Sequence, residues 1–204
     1  MPGRASTSPW WRSIAGSTES WNTTEHPTWR RFGGTGDNGC VGQLHVSFIC
    51  TGNICRSPMA AKMFEAHLYR AGLANRVRVT SAGTGSWHVG DPADPRTEAT
   101  LRRAGYPTDH IAATFGTDHR DADLIIALDT GHDRELAHRG VPTEQRRLLR
   151  SFDPAADGSD VPDPYYGDQT DFDLVRDQIE AAIPGLLDWV RAALDAHTVA
   201  DAQR

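Results

Sequence analysis

The chain has 204 residues, 38% of them hydrophobic and 24% charged, with a formal net charge of −6. That length supports one domain with a real core, or one domain and a tail. The acidic balance argues against a general nucleic-acid binder, and no apolar run approaches the ~18 residues of a membrane helix.

Three cysteines occur, Cys40, Cys50 and Cys55. An odd, small number is not a disulfide framework and points to a reducing compartment. The N-terminus also lacks the apolar core of a secretory signal. The expectation is a cytoplasmic protein, with export lacking a signal peptide left open.

Residues 1–43 are expected to form a disordered extension. They are rich in Ser, Thr, Gly and Pro, have no apolar periodicity, and carry Trp10, Trp11, Trp21 and Trp29. Gly34 to Gly39 spells G-x-G-x-x-G, but it precedes the first strand rather than following one, so it is not read as a dinucleotide site. From Leu44 the pattern becomes regular. Leu44–Ile49 reads as a buried strand. Ser57–Arg70 reads as a helix, capped by Ser57, opened by Pro58 and ended by Gly72. Val77–Ser81 alternates as a second strand, and Pro95–Ala104 is a helix. Asp123–Leu128 is a third strand, 131–139 a short helix, and Arg147–Arg150 a fourth strand. An Asp/Pro/Gly/Tyr loop covers 151–169. Phe172–Leu194 is a closing helix with a bend expected at Pro184-Gly185. Alternating strands and helices predict an α/β fold, with a four-stranded, mainly parallel sheet flanked by helices over residues 44–204. Ligands of such sheets sit beyond the carboxyl ends of the strands.

The first strand ends at Cys50-Thr51-Gly52-Asn53-Ile54-Cys55-Arg56-Ser57-Pro58, and a helix follows. A tight loop before a helix turns successive backbone N–H groups inward as an anion nest, and the helix N-terminus adds partial positive charge. Gly52 permits backbone geometry that a side chain would block, and Asn53 tolerates the left-handed region. Arg56 supplies a planar fork for two phosphate oxygens. A cysteine in such a nest is expected to be a thiolate nucleophile, with the Ser57 hydroxyl donating to its sulfur. A lone cysteine at a strand end is ordinarily a buried core residue. The Cys-x5-Arg-Ser spacing in this context favours catalysis instead. Cys50-x4-Cys55 is not read as a zinc site, because no further Cys or His pair completes four ligands.

Cys50 to Pro58 resembles the signature of the low-molecular-weight protein tyrosine phosphatases. Ser81-Ala82-Gly83-Thr84, Trp87-His88, Asp109-His110-x-Ala and Asp163-Pro164-Tyr165-Tyr166-Gly167 resemble segments of that family in the family order. The likeness spans about residues 44–195 and is greatest to actinobacterial members. It implies the fold of that family and hydrolysis of phosphotyrosine through a phosphocysteine. Cys50, Arg56 and Asp163 would be catalytic, with Asp163 as general acid and then general base. Thr51, Gly52, Asn53, Ile54, Cys55 and Ser57 would bind phosphate or shape the loop. Ser81 and His110 would join Asn53 in a supporting network, and Trp87, Tyr165 and Tyr166 would contact the substrate. No metal or organic cofactor is implied. The expected partners are phosphotyrosine proteins and a cognate tyrosine kinase, with no nucleic acid and no membrane, and the expected state is a monomer.

Two departures stand out. Ala61 replaces a Glu common in relatives, so His110 lacks an expected carboxylate and the loop support is expected to be looser or rewired. Gly131 stands where relatives often have Asn, and the segment Leu128–His132 is given no catalytic role. Asp153, Asp157 and Asp160 are read as solvated loop. Cys55 is not read as the nucleophile; its nearness to Cys50 suggests a reversible, protective disulfide. Arsenate reductases share the loop but need downstream cysteines, which are absent after Cys55. Protein-arginine phosphatases have Thr where Ile54 stands. An inactive phosphopeptide-binding module would not need Cys50, Arg56 and Asp163 together.

Overall fold

The structure, a computed structural model, describes residues 43–202. The extension expected over 1–43 lies outside the described residues, apart from Gln43. Four strands, β1 (Leu44–Cys50), β2 (Val77–Gly83), β3 (Leu124–Ala127) and β4 (Arg146–Leu148), form one sheet in the order β2-β1-β3-β4. Every pairing is parallel. Five helices accompany it: α1 (Arg56–Arg70), α2 (Pro95–Arg103), α3 (Thr117–Arg120), α4 (Thr130–His138) and α5 (Gln169–Ala202). The short α3 has no counterpart among the expected elements.

A parallel sheet needs cover on both faces, and alternation along β1 supplies it. Leu44, Val46 and Phe48 point into the larger core, where they meet Met59, Met63 and Phe64 of α1 and Phe172, Val175 and Ile183 of α5. Phe48 and Phe64 meet edge to face, with ring centroids 5.7 Å apart. Ile49 points the other way and joins Ala82, Ile125, Ala127 and Leu136. β1 is buried along its whole length. That is why it reads in sequence as a nearly unbroken apolar run.

Two expectations are corrected. Ser57 does not cap α1. The helix begins one residue earlier, at Arg56, with Cys55 at the cap position and no side-chain cap, because the Ser57 hydroxyl is engaged elsewhere, as described below. The last helix starts at Gln169, not Phe172. Asp168 Oδ1 accepts the Thr170 N–H at 2.7 Å and so starts it earlier. It runs as one helix through Pro184, held by the buried Ile183, Leu186 and Val190 on either side.

Gly185 has a packing reason. A Cβ there would lie 2.2 Å from the Phe152 carbonyl oxygen, so only glycine lets α5 lie so close to that turn. Gly185→Ala is expected to lower stability by about 1–3 kcal/mol through overpacking, although Ala is the better helix former by ~1 kcal/mol. A thermal melt checks this, and an unchanged or higher Tm would refute it. Among the described residues, no helix is long and apolar enough to cross a membrane.

Candidate active site

Cys50 ends β1, paired with Gly83 at the end of β2. The chain order switches direction at the central strand, the usual place for a ligand crevice. The Thr84 N–H donates to the Cys50 carbonyl at 2.8 Å and the Gly85 N–H to the Thr51 carbonyl at 2.9 Å. A Cβ at Gly83 would meet the Thr51 carbonyl oxygen at 2.7 Å. Glycine there allows the outgoing loop to be braced from the side.

From Thr51 to Cys55 the loop curls around the sulfur. Asn53 is the one non-glycine residue with positive φ among the described residues, at 56°, the geometry that Asn tolerates best. Its N–H points at Cys50 Sγ, 3.3 Å away. Among the described residues, the N–H groups of Gly52, Ile54 and Cys55 have no backbone partner. Donors left open at the N-terminus of a 15-residue helix form an anion nest.

Behind the loop is a buried polar network. Ser57 Oγ lies 2.9 Å from Cys50 Sγ and accepts from Asn53 Nδ2 at 2.8 Å. The same amide donates to Ser81 Oγ at 2.9 Å, and Asn53 Oδ1 accepts the Ala113 N–H at 2.8 Å. Burial pushes the pKa of His110 below the ordinary histidine value, so its ring is neutral, and Nε2 donates to the Asn53 carbonyl at 2.7 Å. Asn53, Ser57, Ser81 and His110 thus meet in one network behind the loop. Ala61 does not break the His110 contact. A cavity of about 380 Å³ lies beside Ala61, lined also by Glu65, Ser81, His110 and His119.

Arg56 is 3% exposed. Its Nη1 donates to Asp129 Oδ2 at 2.7 Å and to the Val161 carbonyl at 3.2 Å, and its Nη2 donates to Asp163 Oδ2 at 2.7 Å. Asp129 and His132 lie in the segment Leu128–His132, to which sequence alone assigns no catalytic role. Burial opposes the charge on Asp129, but the His132 backbone N–H, the adjacent imidazole and the Arg56 guanidinium hold its carboxyl well below the usual carboxylate range. A depressed folded-state pKa stabilises the fold above the unfolded value of ~3.9 and is lost as pH falls through the folded value. The stability gap between wild type and Asp129→Asn should therefore be constant above about pH 5 and shrink on acidification. Chemical denaturation across that range measures it, and a gap that widens in acid would refute it.

Cys50, Thr51, Gly52, Ile54, Cys55, Arg56, Trp87, His88, Asp163, Tyr165 and Tyr166 line one cavity of about 340 Å³. Trp87 is 76% exposed and Tyr166 97%, and the two tyrosine rings meet edge to face at 5.0 Å. Cys50 and Cys55 are both free thiols. Burial, with the nearby Asp94 carboxylate, pushes the Cys55 thiol up to about 12, which keeps it protonated and unreactive at neutral pH.

The loop carrying Asp163 is pinned on both sides. The Val161 N–H donates to the Leu128 carbonyl at 2.8 Å. Arg96 donates to the Tyr165 and Gly167 carbonyls at 3.0 and 2.9 Å. Arg96 is itself held by Asp94 and lies over the Phe172 ring at 4.6 Å. The Asp94 N–H donates to the Ile54 carbonyl at 2.9 Å, so the two loops share an anchor. Neither Arg96 nor Asp94 carried a signal in sequence beyond a helix start.

Residues 45–199 match the family model described as low molecular weight phosphotyrosine protein phosphatase. The chain is 59% identical over 149 residues to low molecular weight protein-tyrosine phosphatase A of Mycobacterium tuberculosis, covering 72% of this chain and 91% of that protein. It is 51% identical over 157 residues to a low molecular weight protein-tyrosine-phosphatase of Streptomyces coelicolor, covering 74% and 95%. Among solved structures, YfkJ from Bacillus subtilis superposes with a TM-score of 0.71 at 34% identity, covering 76% of this chain and 99% of that one. A protein tyrosine phosphatase from Entamoeba histolytica does so at 0.70 and 31%, covering 74% and 99%. With the sheet, the loop and these likenesses in agreement, the chain belongs to the low molecular weight phosphotyrosine protein phosphatase family.

Proposed function

We propose that residues 44–204 are a phosphatase domain that hydrolyses phosphotyrosine in proteins in two steps at Cys50. In the first, Cys50 Sγ attacks phosphorus while the tyrosine oxygen leaves and takes a proton from Asp163. In the second, Asp163 takes a proton from water, the water oxygen bonds to phosphorus, and the P–S bond breaks to release phosphate and restore the Cys50 thiolate. The observation that carries this reading is one cavity holding Cys50, Arg56 and Asp163 together.

The Asn53 N–H and the Ser57 hydroxyl face Cys50 Sγ and suit an anionic sulfur both as nucleophile and as leaving group. Arg56 and the open loop amides meet the charge on the transferring phosphoryl group, so the chemistry needs no metal. Trp87 and Tyr165 give the entrance aromatic walls for the substrate ring, and Ile54 stands where protein-arginine phosphatases have Thr, which favours phosphotyrosine. On this reading the partners are phosphotyrosine proteins, including a cognate tyrosine kinase, and the protein works as a cytoplasmic monomer.

Hydrolysis of phosphotyrosine and phosphoarginine peptides, with p-nitrophenyl phosphate as control, tests the proposal. Turnover of the phosphotyrosine peptide and p-nitrophenyl phosphate is expected. A folded protein that hydrolyses neither refutes the enzyme reading, and a preference for the phosphoarginine peptide refutes the substrate.

A further inference from the structure

Two residues of the Cys50–Arg56 loop are joined behind it by a route that the loop motif does not contain. Thr51 Oγ1 lies 2.9 Å from His132 Nε2. On the other edge of that ring, Nδ1 lies 2.9 Å from Asp129 Oδ1. The same oxygen accepts the His132 backbone N–H at 2.7 Å, and the second Asp129 oxygen accepts from Arg56 Nη1 at 2.7 Å. The path Thr51–His132–Asp129–Arg56 starts and ends on the loop. His132 is 4% exposed, in the first turn of α4, so its imidazole has been withdrawn from water, which costs free energy unless its contacts compensate.

We infer that His132 is a positioning residue for phosphate recognition, fixing the plane of the Arg56 guanidinium through Asp129 and the mouth of the loop through Thr51. The inference rests on reading Cys50–Arg56 as the phosphate site. A guanidinium recognises phosphate through paired N–H groups in one plane, so its orientation decides how well it binds. Arg56 has two carboxylate partners, and they are not equivalent. The Asp163 side chain is 49% exposed and stands at the entrance, where a substrate arrives. The Asp129 side chain is 22% exposed and caps α4, so it is the partner that stays.

A carboxylate is only as steady a guide as its own torsion. One Asp129 oxygen faces Arg56, and the other is held by the His132 amide with the imidazole edge beside it. Rotation of Asp129 would break both holds at once. The imidazole could still turn about its own bond, and the Thr51 hydroxyl stops it by fixing Nε2. A flat ring with a nitrogen on each edge is suited to this span. Thr51 also lines both the cavity holding Cys50 and a neighbouring cavity of about 460 Å³ that includes Asp129, His132 and Trp87. Its position therefore shapes the entrance as well as the loop.

The test compares wild type, Thr51→Val, His132→Leu, His132→Gln and the Thr51→Val/His132→Leu double variant. Binding of inorganic phosphate is read as competitive inhibition of p-nitrophenyl phosphate hydrolysis, alongside kcat, KM and Tm. Thr51→Val and His132→Leu are each expected to weaken phosphate binding by about 3–10-fold, with the double variant no worse than the weaker single, because both cut one path. His132→Gln, whose amide can still reach Thr51, is expected to recover at least half of the loss. A purely structural histidine would lower Tm without moving the phosphate constant. Thr51→Val and His132→Gln binding phosphate as tightly as wild type would overturn the inference, as would losses that simply add in the double variant. If His132→Leu does not fold, Thr51→Val, at an exposed position that keeps its shape, decides the matter alone. Wild type that fails to bind phosphate overturns the phosphate-site reading as well. Wild type that binds, with variants that match it, overturns only the role of His132.

Discussion

Cys50→Ser is expected to lower turnover of every phosphoester by at least about 10⁴-fold while leaving the fold and phosphate binding in place. A serine oxygen in the same position can accept the Asn53 N–H that now faces sulfur at 3.3 Å, so the loop has no reason to open. Arg56 keeps Asp129, and the open loop amides keep their direction. What is lost is the nucleophile: an alkoxide is far harder to form at neutral pH than a thiolate. The variant should therefore hold a phosphotyrosine peptide without consuming it. Steady-state kinetics and peptide binding by calorimetry check the two halves. Residual activity within about 100-fold of wild type would mean that another group attacks phosphorus.

Asp163→Asn should separate catalysis from binding in opposite directions. The amide cannot protonate a departing phenolate, so kcat on phosphotyrosine is expected to fall about 10²–10⁴-fold. The loss should be smaller with p-nitrophenyl phosphate, whose leaving group departs readily without a proton. Phosphate binding should tighten. Arg56 Nη2 now faces the charged Asp163 oxygen at 2.7 Å, and an incoming phosphate has to take that donor over. An uncharged amide competes less for the guanidinium. Comparing phosphate inhibition constants for wild type and Asp163→Asn measures this. Weaker phosphate binding by the variant would mean that Asp163 helps hold the ligand rather than competing with it.

The parts of this site that could be read in sequence are those whose chemistry is local. The run from Leu44 to Arg56 gives a buried strand, a turn that needs Gly and Asn, and a helix start within a few residues, and each step has its own residue signature. The left-handed backbone at Asn53 and the Ser57 contact to sulfur follow from that run. Parallel pairing followed from the alternation of strands and helices. The clamp on Arg56 could not be read. Asp129 lies 73 residues further along the chain, after a strand whose end looks like any other, and Asp129 to His132 also reads as an ordinary helix start. Arg96 was equally silent, because it grips backbone carbonyls, which every residue has. Ser57 misled for a related reason: the residue type that caps helices is also the type that can donate to a thiolate.

The pinning of the Asp163 loop sets a limit on motion. Val161 is tied to Leu128 and Tyr165 to Arg96, so Asp163 sits mid-span on a taut bridge with an anchor two residues to each side. A stretch that short cannot swing like a gate. Its carboxylate can change partner by turning its own side chain, a movement faster by orders of magnitude than loop closure. Among the described residues this loop is therefore no shutter for the pocket, and the surface of a docked phosphoprotein would be what covers the reacting phosphorus.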